Sequence, residues 1–240
     1  MEIRIFEDAA SLGLAAADIF AEQLKKNSAS VLGLATGASP VPTYNRLIEM
    51  YKAGEISFKD VVTFNLDEYC DLPKDDKNSY YTFMHENLFN HVDIQESNVH
   101  ILDGNAEDTE QEAAAFDAAI KAAGGIDIQL LGIGNNGHIG FNEPSNEFTT
   151  GTFKVKLTDS TLQANSRYFD ENPMPHYALT MGVGSIMDAK KIVLIATGPA
   201  KAQAIFDTVK GEVTPLVPAS ILQKHPDAVL LLDKAAASLL

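Results

Sequence analysis

Ile126-Asp-Ile-Gln-Leu-Leu-Gly-Ile133 is the stretch that decides the fold. A near-continuous apolar run of this kind is what a central parallel strand, covered on both faces, requires. Upstream, Glu107 to Ala123 is alanine-rich and reads as a helix, closed by Gly124-Gly125 as a C-cap signal. Downstream the chain turns glycine-rich at once.

The same alternation extends outward in both directions. Glu2 to Phe6 reads as a strand. Leu12, Ala16, Ile19, Phe20 and Leu24 then mark one face of a helix from Asp8 to about Lys26. Val31 to Ala35 is apolar, Thr43 to Tyr51 helical, and Val61 to Leu66 a strand ending at Asp67. Ser79 to Phe89 is an aromatic-rich helix and Val99 to Leu102 a brief strand. Later strands are expected at Tyr177 to Thr180, Ile192 to Ala196 and Ala228 to Leu232, with helices at Val183 to Met187 and Pro199 to Val209. This predicts one α/β domain over residues 1–240, a doubly wound and mostly parallel Rossmann-like sheet with helices on both faces. Gly140 to Asp159 is the least regular stretch and is expected to be a mobile loop over a site.

The bulk numbers exclude several classes. At 240 residues with 45% apolar and 21% charged content, the chain can bury a core without a metal or disulfide staple. The single cysteine, Cys70, forms no internal disulfide, and the N-terminus has no signal-peptide pattern, so a cytoplasmic home is expected. No window approaches the roughly 20 apolar residues that span a bilayer. With 18 Lys and Arg against 33 Asp and Glu, the formal charge of −15 repels nucleic acid and anionic membrane. An anionic small molecule would need local donors.

In open α/β sheets, ligands bind outside the carboxyl ends of the strands. Four predicted strands end in residues better suited to chemistry than to packing: Thr36-Gly37-Ala38-Ser39, Asp67-Glu68, Asn135 through Glu143, and Thr197 through Lys201. If the strands run parallel, these clusters emerge on one edge. The turn Thr36 to Pro40 offers backbone N–H groups to an anion; the alternative is an ordinary βα turn with Ser39 as helix N-cap. Lys201, in the first turn of a predicted helix, opposes the helix dipole by roughly 0.3–1 kcal/mol, a sign that a bound anion would reverse. Arg167 can add a bidentate clamp. A solvated lysine and a surface ion pair are the alternatives for these two. Asp67, at the end of a buried strand, is placed to act as a base, or else serves as a turn or N-cap aspartate.

Gly132-Ile-Gly-Asn-Asn-Gly-His-Ile-Gly-Phe-Asn-Glu-Pro144 differs, because glycines at 132, 134, 137 and 140 imply unusual backbone angles or close approach to a ligand. His138 and Glu143 stand in the same loop. The remaining histidines (85, 91, 100, 176 and 225) have no metal-ligand spacing, so no metal is expected. Cys70 reads as a bystander thiol, and the Tyr80, Met84, Leu88 stripe as core.

These residues resemble the glucosamine-6-phosphate deaminase family. The matching pieces are Leu34 to Pro40, Phe64-Asn-Leu-Asp-Glu-Tyr69, Gly132 to Pro144, Asn165-Ser-Arg-Tyr-Phe169 and Tyr177-Ala-Leu-Thr-Met-Gly-Val-Gly184, in family order. The resemblance implies that Asp67 shuttles a proton between C2 and C1 of an amino-sugar phosphate. It further implies that His138, supported by Glu143 and Asn136, opens the sugar ring. Thr36, Gly37, Ala38 and Ser39, with Arg167 and Lys201, would hold the phosphate. Such a reaction needs no cofactor. Some members carry aspartate where this chain has Asn136, so Glu143 is expected to be the main charged partner of His138. Phe153 and Val155 stand where allosteric relatives carry basic residues, which implies hyperbolic kinetics, and a monomer is the companion expectation. A sugar-phosphate lactonase on the same fold and a non-catalytic sensor are the competing readings.

Overall fold

The computed structural model describes residues 1–166, 169 and 173–240. Its main sheet has seven strands in the order β1-β10-β9-β6-β2-β3-β5, and every pairing is parallel. The strands are β1 (Glu2–Phe6), β2 (Val31–Leu34), β3 (Val62–Asn65), β5 (Val99–His100), β6 (Ile128–Leu131), β9 (Lys191–Ala196) and β10 (Ala228–Asp233). Every residue of β2, β6 and β10 is buried, so both faces of the central strands are covered. Helix α1 (Ala9–Lys26) packs against α2 (Val41–Lys52) and against β1, β9 and β10, burying the Leu12, Ala16, Phe20 and Leu24 face that its periodicity picks out. Asp8 caps α1 as a capping box with Ser11.

From β2 the chain builds toward β3 and β5; after β6 it builds the other way, toward β9 and β10. The reversal falls between β2 and β6, which is where a ligand crevice is expected in such sheets.

Beside this sheet lies a second, which sequence reading did not foresee. It is antiparallel, in the order β4-β8-β7, from β4 (Asp67–Tyr69), β8 (Tyr177–Thr180) and β7 (Phe153–Lys156). Tyr177 to Thr180 therefore joins this small sheet rather than the parallel one, and Gly140 to Asp159 contains a strand. The small sheet buries its own apolar cluster of Tyr69, Leu72, Phe141, Leu157 and Ala178. Leu66 joins the two sheets. Its N–H donates to the Leu34 carbonyl at the end of β2 (3.1 Å), and its carbonyl accepts from the Met181 N–H just past β8 (2.8 Å).

The other helices are α3 (Tyr80–Asn87), α4 (Thr109–Ala122), α5 (Asp159–Asn165), α6 (Val183–Met187) and α7 (Ala202–Lys210). Among the described residues no helix is long and apolar enough to cross a membrane.

Candidate active site

The strands that carry the four polar clusters, β9, β6, β2 and β3, are consecutive neighbours in the main sheet. Their carboxyl ends open into a cavity of about 620 Å³. Thr36, Gly37, Ala38, Ser39, Asp67, His138, Thr197 and Lys201 all border it. Arg167 lies outside the described residues.

After β2 the turn passes through Gly37 at φ 97, a left-handed conformation that disfavours side chains. Pro40 is the N-cap of α2 and no side chain caps that helix, so Ser39 is not the N-cap that one reading of the sequence offered. Its hydroxyl instead lies 3.5 Å from Thr197 Oγ1, across the cavity floor from the end of β9. The Tyr44 hydroxyl donates to the Ala35 carbonyl (2.5 Å) and fixes the start of the turn. Lys201 ends a short 3-10 turn, Pro199–Lys201, and α7 begins at Ala202, slightly later than expected. That turn is held where the Gly198 N–H donates to Asp233 (2.9 Å).

Asp67 is only 6% exposed. Among the described residues no hydrogen bond reaches its carboxylate, so it does not cap a helix or close a turn. Burial, with the charge of Glu68 second, pushes its carboxyl up to about 8. A group so poised gives up and regains a proton near neutral pH.

His138 is built differently. A Cβ on Gly134 would sit 2.2 to 2.5 Å from its ring atoms, so only glycine lets the loop fold over the imidazole. The imidazole Nδ1 is 3.5 Å from Glu143 Oε2, within ion-pair reach but longer than a well-formed hydrogen bond. Burial alone would raise the Glu143 carboxyl. Contacts from His138, Thr161 and Asn136 overcome that and hold it down at about 2, so it is a fixed anion behind the ring. The Asn136 amide donates to Glu143 Oε2 (2.8 Å), and the Thr158 (3.0 Å) and Thr161 hydroxyls donate to Oε1. Asn136 Oδ1 accepts from the backbone N–H of His138 (3.2 Å), so this amide reaches the loop and not the ring. Neither Asn136 nor Glu143 borders the cavity; both stand behind His138.

The His138 loop is bolted to the small sheet. The Phe141 N–H donates to the Thr180 hydroxyl (3.0 Å) on β8, and the Asn142 amide donates to the carbonyls of Ile139 and Met181 (2.8 Å each). Thr180 pairs with Asp67 across β4 and β8. One joint therefore fixes the imidazole loop relative to the carboxylate.

Several cavity residues escaped the sequence reading. Met84 and Leu88 are fully buried as predicted for the helical stripe, but Tyr80 at its head forms the cavity wall, with its ring stacked on Phe141 at 6.1 Å. The Tyr80 hydroxyl donates to that of Tyr69 (3.3 Å), to which the Asn165 amide also donates (3.1 Å). Lys77, Asn78 and Phe83 border the cavity as well. Period alone cannot separate a core ring from one on a cavity wall. Cys70 is fully buried, and burial pushes its thiol up to about 11, which leaves it unreactive. Among the described residues no cluster of His, Cys, Asp or Glu is placed to hold a metal ion.

The family model for glucosamine-6-phosphate isomerases/6-phosphogluconolactonase matches residues 7–231. A glucosamine-6-phosphate deaminase of Clostridium botulinum (strain Alaska E43 / Type E3) is 52% identical over 241 residues, covering 100% of this chain and 97% of its own. That of Thermoanaerobacter pseudethanolicus (strain ATCC 33223 / 39E) is 54% identical over 226 residues, covering 94% and 89%. Among solved structures, a monomeric glucosamine-6-phosphate deaminase matches with a TM-score of 0.97 at 42% identity over 100% of both chains. The 6-phosphogluconolactonase from Trypanosoma cruzi matches at 0.78 with 20% identity, over 100% of this chain and 96% of its own, a likeness of fold alone. A family model that spans nearly the whole chain, and relatives more than half identical along it, leave one conclusion: the chain belongs to the glucosamine-6-phosphate deaminase family.

Proposed function

We propose that this chain converts glucosamine 6-phosphate to fructose 6-phosphate and ammonia. The observation that carries the reading is the pairing in one cavity of Asp67, a buried carboxylate without a hydrogen bond from the described residues, with His138, an imidazole backed by a fixed anion.

The phosphate is held by the turn Thr36 to Ser39 and by Lys201, with Arg167 as the further candidate. Ring opening moves the anomeric hydroxyl proton to the ring oxygen. His138 does this through Nε2, since Nδ1 faces Glu143; the anion orients the ring and stabilises its protonated form. Asn136 acts one step further back, by orienting Glu143. Asp67 then removes the C2 proton of the open-chain aldehyde. That electron pair forms the C1–C2 double bond, the carbonyl oxygen takes up the proton that the C2 ammonium releases, and an enolamine forms. Returning the C2 proton to C1 yields the ketose imine. Water adds at C2 and ammonia leaves. A carboxyl held up at about 8 is a stronger base than a free aspartate, and desolvation and placement supply the rest. A lactone hydrolase on this fold breaks no C–H bond and would leave Asp67 idle. We place the enzyme in the cytoplasm as a monomer, in line with its lone buried thiol and with the monomeric deaminase it matches.

The test incubates glucosamine 6-phosphate with wild type and Asp67→Asn and measures ammonia and fructose 6-phosphate together. Equimolar products from wild type alone support the assignment. Hydrolysis of a 6-phosphogluconolactone without ammonia release would replace it.

A further inference from the structure

β4 has three residues, and the side chain at its centre has no part in the chemistry above. Glu68 does not border the cavity that Asp67 borders; it faces a smaller one of about 170 Å³ on the other side of the strand. Its buried carboxylate accepts three backbone N–H groups, from Tyr69 (2.8 Å), Tyr80 (2.9 Å) and Tyr81 (2.8 Å). Tyr80 and Tyr81 are the first two residues of α3, and the next N–H, of Thr82, donates to Ser79 Oγ (3.0 Å). A helix leaves its first N–H groups without partners inside the helix, and a negative charge there is favoured by the dipole. Glu68 thus supplies the acceptor for the start of α3. That same start carries Tyr80 and Phe83 to the catalytic cavity.

We propose that Glu68 is a positioning residue for proton transfer: its carboxylate pins the start of α3, and with it Tyr80 and Phe83, to the strand that carries Asp67. The inference rests on the reading of Asp67 as the base. Because the two carboxylates are consecutive, the charge of Glu68 also opposes ionisation of Asp67, second to burial. Asp67 shares its cavity with His138, Lys201, Lys77, Tyr69 and Tyr80. Around Glu68 stand Lys74, Tyr81, Glu96 and Asp103. Glu68→Gln and Glu68→Asp both release the start of α3, and with it Tyr80 and Tyr81, so an acid limb displaced in the first and not in the second reports on the charge of Glu68 itself.

Two variants separate reach from charge. Glu68→Gln keeps the length, loses the charge and turns one acceptor into a donor facing a backbone N–H. Glu68→Asp keeps the charge but falls one methylene short of α3. Steady-state ammonia release from glucosamine 6-phosphate is measured from pH 5.5 to 9.5. Both variants are expected to lose about tenfold or more in plateau kcat, because small misplacements cost rate. KM should stay within about threefold, since the phosphate cradle is untouched. The acid limb should move down by about one pH unit in Glu68→Gln and stay in place in Glu68→Asp. Wild-type plateau kcat in both variants overturns the proposal, as does a limb that moves equally in both or in neither. If Glu68→Gln does not fold, Glu68→Asp decides alone: a lowered plateau supports the role and an unchanged one overturns it. A wild type that releases no ammonia fails earlier, at the assignment of Asp67.

Discussion

Replacing Asp67 by asparagine should make the protein more stable as well as inactive, and the gain should grow with pH. An ordinary aspartate ionises at 3.8, whereas this one is held up to about 8. At about 1.36 kcal/mol per pH unit, that rise caps the cost of the folded-state charge at about 6 kcal/mol. The sign follows from linkage. A raised folded-state pKa contributes stability that is fully present below the unfolded value, and lost as pH climbs through the folded one. Wild type therefore weakens between about pH 4 and 8, while an amide has nothing to ionise. Relaxation of the surroundings and water in the open cavity lower the cap, so the stability gap should widen by about 2–4 kcal/mol between pH 5 and pH 9. Urea unfolding of both proteins at the two pH values, fitted for midpoint and slope, gives the gap directly. A gap of equal size at both, or one that narrows with pH, would refute the claim that burial of this carboxyl is a standing cost of the active site.

Three further outcomes follow from the same geometry. Glu143→Gln should slow ring opening, read by pre-steady-state kinetics, more than Asn136→Ala, because only the former removes the charge beside the imidazole; the opposite ranking retires the idea. Since Glu143 is held down at about 2 from 4.5, it contributes stability above pH 4.5 that is lost as pH falls through 2, by up to about 3 kcal/mol, so Glu143→Gln should be destabilised at pH 7 and by about half as much or less at pH 3. Gly134→Ala puts a methyl within 2.2 Å of the His138 ring and should abolish turnover while phosphate protection against thermal unfolding persists; retained kcat would mean that the loop can yield. Substrate saturation should be hyperbolic, with no response to an acetylated amino-sugar phosphate, since Phe153 and Val155 offer no cation; sigmoidal curves that this ligand relieves would contradict it.

Much of the parallel sheet was legible because its strands are short, apolar and punctuated by turn residues. Ile128–Leu131 and Ala228–Asp233 are buried on every residue, and a period of neither 2 nor 3.6 is itself the signal. The small sheet was not legible as such. Phe153-Lys-Val-Lys156 does alternate, with its burial following suit, but it is an isolated four-residue strand inside an irregular stretch. The break at Leu66 left no trace in Val62 to Tyr69, because partners distant in sequence create it. At the site, glycine spacing and strand-end polarity gave Asp67, His138 and the Thr36 to Ser39 turn. Glu68 stayed hidden because its helix partners lie 12 and 13 residues on. Tyr80 was hidden by resembling its core neighbours.

Leu66 and the His138 loop tie the two sheets together at the site. The Thr36 to Ser39 turn, proposed to hold the phosphate, follows a strand of the parallel sheet, and Asp67 lies on the antiparallel one. The His138 loop leaves the former and is bolted to the latter. A change in β8 therefore moves Asp67 and the His138 loop together, whereas the Thr36 to Ser39 turn keeps its own footing on β2.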